Sequence, residues 1–145
     1  MTNKKFKNAV DPERSAVITI AGTEYELILT TRATKEISKR YGGLDSLGEK
    51  LMRSENFDQS LEEIVWLIAL LANQSIMINN LKHPDTKREP ITEDIVELLT
   101  TPLELASYKD AISEAMLRGT ARNIESEPEG SNASGGGASK NGETG

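Results

Sequence analysis

The sequence predicts a mainly α-helical protein, in which an N-terminal β-hairpin is followed by about five helices and a disordered C-terminal tail. Alternating apolar residues flank a glycine near the N-terminus, and helix start and stop signals follow along the chain. After Ile124 no large apolar residue occurs, so the tail cannot bury enough surface to offset its ordering entropy. We therefore expect a polar arm over residues 1–15, one domain over 16–123 and an acidic, Gly- and Ser-rich tail over 124–145.

The composition is typical of a soluble globular protein. Of the 145 residues 37% are hydrophobic and 28% are charged, and the net charge is −6. An acidic body repels phosphate backbones, so we expect no binding to nucleic acid. The chain contains no cysteine, which excludes disulfides and thiolate nucleophiles.

The hairpin is predicted from two short runs of apolar residues around Ala21-Gly22. Val17, Ile18 and Ile20 precede this pair, and an alternating segment that includes Tyr25 and Leu27 follows it. A glycine between such runs is typical of a tight hairpin turn. Because two strands alone are only marginally stable in water, the hairpin must pack on helices or on a neighbouring subunit.

The first two helices are predicted from their caps. Thr30 or Thr31 is suited to cap a helix that Gly42 would end. A short helix should follow, opened by Asp45 or Ser46.

The later helices show the same kinds of signal. A central helix is expected from Asp58–Ser60 to about Leu81, and a loop with two prolines ends it. Thr92 should cap the next helix, whose predicted apolar side is formed by Ile95, Val96, Leu98 and Leu99. Thr101-Pro102 should open the last helix, and we expect Gly119 to end it.

The central helix is apolar on more than one side. Nine apolar residues run without a break from Ile64 to Ala72, whereas a helix that faces water normally has a polar side. This run is far shorter than the ~20 residues that span a bilayer, so we expect no membrane insertion. Either the other helices wrap this one as a core helix, or one face is left for another chain, and the two readings are compatible. The predicted partner-binding residues are Trp66, Leu70, Ile76, Met77 and Leu81.

Residues suited to catalysis are sparse. His83 is the only histidine, and it lies beside Pro84 at a predicted helix end. The acidic pairs Glu62/Glu63 and Glu93/Asp94 stand at helix starts, where the helix dipole favours negative charge. The glycines of the tail lack the spacing and context of a phosphate-binding loop. We therefore expect no enzymatic activity, no cofactor and no metal site.

Two long stretches resemble tail assembly chaperones of long-tailed bacteriophages and prophages of Gram-positive bacteria. One is ITIAGTEYELILTTRATKEISKRYGGLDSL near the N-terminus; the other is LLANQSIMINN followed by EPITEDIVELLTTPLELASYKDAISEAMLRGTARNIESE. The likeness covers roughly residues 16–127 in order, and it rests on the overall pattern rather than on a chemical signature.

The resemblance implies a helper rather than an enzyme. Proteins of this family coat the tape-measure protein in the host cytoplasm before the tail tube polymerises around it, and they are absent from the mature virion. Tail tube subunits are a second candidate partner, and we expect a homo-oligomer. A longer product often arises by ribosomal frameshifting, and this chain looks like the short form.

Two other functions are compatible with the sequence. One is a structural tail-completion or connector subunit of the virion. The other is a small DNA-binding regulator, for which KEISKRYGG is the only candidate recognition helix; the acidic body argues against it.

Overall fold

The computed structural model describes residues 9–53 and 57–125. The predictions made for residues 1–8 and 126–145 of the arm and the tail lie outside the described residues. Two strands come first, β1 (Ser15–Ile20) and β2 (Thr23–Ile28). The helices that follow are α1 (Thr31–Tyr41), α2 (Leu44–Arg53), α3 (Phe57–Lys82), a 3-10 turn (Pro84–Thr86), α4 (Glu93–Leu99), α5 (Pro102–Ser107) and α6 (Lys109–Glu125). The predicted fold class is confirmed: a hairpin leads into a mainly helical domain.

The hairpin has the predicted turn. Strands β1 and β2 pair antiparallel, with Ser15 opposite Ile28 and Ile20 opposite Thr23. The two turn residues, Ala21 and Gly22, have φ values of 50° and 83°, which is the left-handed backbone that matches the twist of the flanking strands. The hairpin packs on helices of its own chain, with α3 mainly against β2 and α6 mainly against β1.

Helix α3 is the centre of the core. Ile64, Leu67, Ile68 and Leu71 are each at most 1% exposed, and they pack with residues of the hairpin and of the other helices. The segment Ser60–Lys82 is long and apolar enough to cross a membrane by length and composition alone, but 61% of its most apolar window is buried within the fold. The fold itself therefore covers most of the apolar surface of α3.

The helix starts follow the predicted caps closely. The side chain of Thr30 accepts a hydrogen bond from Ala33 N and caps α1, and Thr92 caps α4 in the same way. Thr101 and Glu104 form a reciprocal capping box at the start of α5. Helix α2 begins at Leu44, one residue before the earlier of the two predicted start residues.

The predicted end of the last helix at Gly119 is wrong. The predicted single helix is divided at Tyr108 into α5 and α6, and α6 continues past Gly119 to Glu125. Gly119 is instead a packing residue, because a Cβ atom there would lie 2.9 Å from Leu29 Cβ. The first two residues of the predicted tail, Ile124 and Glu125, belong to α6.

Side-chain amides on α3 hold the chain that follows it. Asn73 Nδ2 donates to the carbonyl of Ile91 and Asn73 Oδ1 accepts from Ile91 N, both at 2.8 Å. Seven residues, or about two turns, further on, Asn80 forms the same double contact with the backbone of Arg88. The two side-chain amides pair with the backbone N–H and carbonyl groups of Arg88 and Ile91 as a neighbouring strand would. Residues 88–91 are thereby held along α3, and α4 starts beside it.

The residues before β1 are also tied to the domain. The buried carboxylate of Glu26 accepts hydrogen bonds from Val10 N at 2.8 Å and from Asp11 N at 3.0 Å. Arg118 of α6 donates to the carbonyl of Ser15 at 3.0 Å. Part of the predicted polar arm is therefore held against the hairpin and α6, and its last residue, Ser15, belongs to β1.

Candidate functional site

Three of the five predicted partner-binding residues come together. Trp66, Leu70 and Met77 line a shallow groove of about 370 Å³ on the outer side of α3. The other two lie elsewhere: Ile76 is only 2% exposed, and Leu81 is 83% exposed at the end of the helix. The remaining residues that line the groove come from α1, α3 and the first turn of α4, and they are Arg32, Glu36, Ala69, Asn73, Gln74 and Glu93.

The indole of Trp66 forms a fixed wall of this groove. The Arg40 guanidinium lies 4.4 Å from the centre of its ring system, and the Tyr41 ring meets it edge-on at 5.8 Å. Both neighbours also contact the buried carboxylate of Glu63, since Tyr41 donates a hydrogen bond to it and Arg40 Nε lies 3.5 Å from Glu63 Oε1. This cation–π and aromatic packing holds Trp66 in one orientation.

The hydroxyl of Tyr41 stays protonated in this cluster. Burial raises its pKa above the ordinary value, and the hydrogen bond to Glu63 raises the pKa further. Tyr41 therefore remains a donor to Glu63 across the physiological pH range, and it fixes the junction between α1 and α3.

The polar groups in the floor of the groove are satisfied by the chain itself. Gln74 Oε1 accepts from the hydroxyl of Thr30, and Gln74 Nε2 donates to the carbonyl of Leu70 at 3.0 Å. Asn73 is engaged with Ile91, and Arg32 reaches the sulfur of Met77 at 3.4 Å. A ligand would therefore meet the apolar surfaces of Trp66, Leu70 and Met77 and, at the edge of the groove, the carboxylates of Glu36 and Glu93.

The predicted apolar side of α4 is only partly covered by the core. Of the predicted apolar side of α4 only Val96 is buried. Four residues within nine positions stay at the surface and are called the leucine ridge here: Ile95 (37% exposed), Leu98 (82%), Leu99 (50%) and Leu103 (81%). Because Ile95, Leu98 and Leu99 are spaced i, i+3 and i+4, they are neighbours on the helix.

A sequence signal for the ridge existed. Helix α4 has only seven residues, and four of them are large and apolar. A helix that packs on one side normally buries a narrower stripe, so part of this set had to remain outside. Helix α4 carries three of the four ridge residues, and it borders the groove because Glu93 in its first turn also lines the groove.

The residues considered for catalysis do not form a cluster in the part of the chain that the structure describes. His83 is exposed, and so are both members of the pair Glu93/Asp94. Over residues 9–53 and 57–125, no group of three or more His, Cys, Asp or Glu side chains is arranged to hold a metal ion.

Comparison with known proteins gives no match: no protein-family model, no curated protein and no solved structure is similar to this chain.

Proposed function

We propose that this protein is a tail assembly chaperone of a long-tailed phage, which binds the tape-measure protein reversibly through the leucine ridge and the adjoining groove. The observation that carries the proposal is the exposure of Leu98 on α4 and Leu103 on α5, at 82% and 81%. The proposed role requires no catalytic group, and the protein acts in the host cytoplasm.

The exposed leucines supply a suitable driving force. Burying one leucine side chain is worth about 1.5–3 kcal/mol. A few such contacts, reduced by the entropy lost on association, give a modest affinity. A client held in this way can be released when the tail tube polymerises around it, which is what a temporary coat requires.

The form of the surface fits a helical client. An amphipathic helix binds by laying an apolar stripe, spaced i, i+3, i+4 and i+7, against an apolar surface or groove. Leu70 and Met77 of the groove are themselves i and i+7 on α3, and they offer a stripe of matching period. Leu81 extends the same side of the helix toward its end, whereas the buried Ile76 is not part of the proposed surface.

The experiment is co-expression of the tagged chain with the tape-measure protein of the phage that encodes it. The measured quantities are the soluble fraction of the tape-measure protein and the amount that copurifies. Leu98→Gln with Leu103→Gln is the test variant, because both side chains are exposed and glutamine is a good helix former. Leu117→Gln on α6 is the matched control, since Leu117 is also 70% exposed but lies outside the ridge.

We expect the double variant to lower copurification at least tenfold, which corresponds to about 1.4 kcal/mol, and the Leu117 variant to retain it. Equal recovery with all three proteins would refute the ridge as the binding surface. If the chain binds no tape-measure protein and is found in purified mature particles, the structural tail-completion or connector role replaces the chaperone.

A further inference from the structure

A second pocket lies along a different face of α1 from the groove, and it is basic. It has a volume of about 420 Å³, and three of its lining residues are the cations Arg14, Lys35 and Lys39. The others are Leu29, Thr30, Thr31, Thr34 and Ser38, of which Thr34 donates its hydroxyl to the carbonyl of Thr30. Arg14 Nε lies 2.9 Å from Asp11 and Lys39 lies 3.6 Å from Glu36, but Lys35 has no ion-pair partner among the described residues. Cations gathered in one concave site favour carboxylates.

The course of α6 leads to this pocket. Near its start, the hydroxyl of Tyr108 contacts the carbonyl of Thr19 beside the hairpin turn. Near its end, Arg118 contacts the carbonyl of Ser15 and Gly119 packs on Leu29. Helix α6 therefore runs from the turn of the hairpin to its open end, where Leu29 itself lines the basic pocket.

The chain that follows α6 is acidic. Glu125, Glu127 and Glu129 alternate with other residues directly at and beyond the end of the helix. From Gly119 to Glu125 the helix advances about 9 Å, and the four residues 126–129 can span a further ~13 Å when extended. This reach is comparable with the ~12 Å length of α1 between Thr31 and Lys39.

We propose that the acidic segment 125–129 of the same chain binds in the basic pocket formed by Arg14, Lys35 and Lys39. The short connection keeps the segment at an effective concentration on the order of millimolar, so individually weak charge pairs suffice for occupancy. The inference is independent of the proposed function, because it involves neither the groove nor the leucine ridge.

The chain lacks cysteine, so a single Ser131→Cys substitution can carry a nitroxide spin label just beyond the acidic segment. In the full-length ¹⁵N-labelled protein, paramagnetic broadening of the Thr31, Thr34, Lys35 and Ser38 amide signals is measured against the reduced label. The test variant replaces Glu125, Glu127 and Glu129 with Gln. The matched control replaces the more distant Glu143 with Gln.

We expect broadening of these amide signals in the labelled wild type and in the Glu143 control, loss of it in the triple variant, and loss of it at high salt, because salt screens exposed charge pairs. Lys35→Gln with Lys39→Gln should also remove it while the remaining spectrum is unchanged. Absence of broadening in the wild type, or equal broadening in the triple variant, would overturn the proposal. As a further sample, spin-labelled protein at natural isotope abundance is mixed with ¹⁵N protein that carries no spin label. If broadening depends on contact between these two molecules, the segment binds a second copy, and binding within one chain is overturned.

Discussion

Replacing Gly119 with alanine should destabilise the protein, although it replaces a poor helix former with the best one. Alanine in a helix interior is favoured over glycine by about 1 kcal/mol. Against this, the new Cβ would lie 2.9 Å from Leu29 Cβ, 3.1 Å from Leu29 Cδ2 and 3.3 Å from Leu29 O. Carbon atoms in contact prefer about 3.5–4.0 Å, so the closest pair overlaps by about 0.6 Å or more.

The overlap cannot be relieved by a rotamer change, because Leu29 Cβ and O are fixed to the backbone. Relief requires α6 to move away from the end of β2, and overpacking of this kind costs about 1–3 kcal/mol. We place the cost in the upper part of that range, because Arg118 beside Gly119 is held by the carbonyl of Ser15 and restricts the movement. The expected net loss in the free energy of unfolding is therefore about 1–2 kcal/mol.

The measurement is urea unfolding followed by circular dichroism and by the fluorescence of Trp66, the only tryptophan. Ser113→Ala is the control: it lies on the exposed side of α6, and helix propensity predicts a small gain of a few tenths of a kcal/mol. A Gly119→Ala protein as stable as the wild type, or more stable, with an unchanged m-value would refute the packing role of this glycine.

Three further predictions concern the fold. Asn73→Ala should lower the free energy of unfolding by about 2–3 kcal/mol, because it leaves the N–H and carbonyl of the buried Ile91 without partners. Urea unfolding measures this loss, and the control Asn79→Ala should change the free energy of unfolding by less than about 0.5 kcal/mol. Tyr41→Phe should lower the free energy of unfolding by about 1–3 kcal/mol at neutral pH, because the buried carboxylate of Glu63 loses a hydrogen-bond donor. Since burial raises the pKa of Tyr41, this difference should persist below about pH 10 and shrink as the pH rises further, which unfolding at several pH values measures. Ala21→Asn should raise the thermal midpoint with a gain of about 0.5–1 kcal/mol, because asparagine adopts the left-handed backbone of the turn more readily than alanine; a lower midpoint would contradict the turn assignment.

Local signals carried most of the fold prediction. The hairpin turn at Ala21-Gly22 and the caps Thr92 and Thr101 depend on residues within a few positions of each other, and all are confirmed. Gly119 was misjudged because its role is set by Leu29, far away in the sequence. A glycine that ends a helix and a glycine that lets a helix approach a strand look the same in one sequence.

The candidate site could be predicted only in part. The period of α3 placed Trp66, Leu70 and Met77 on one side, and the structure brings them to one groove. The exposure of Leu98 and Leu103 depends on how much of α4 and α5 the core covers, which no local pattern specifies.

The most direct test of the proposed function is a photo-cross-linking amino acid at position 103, introduced during tail assembly in phage-producing cells. The cross-linked partner is identified by mass spectrometry, and purified mature particles are analysed for the chain in parallel. The proposal predicts a cross-link to the tape-measure protein and no chain in the particles. A cross-link only to a second copy of the chain, together with its presence in mature particles, would contradict the proposal and identify a structural subunit of the tail.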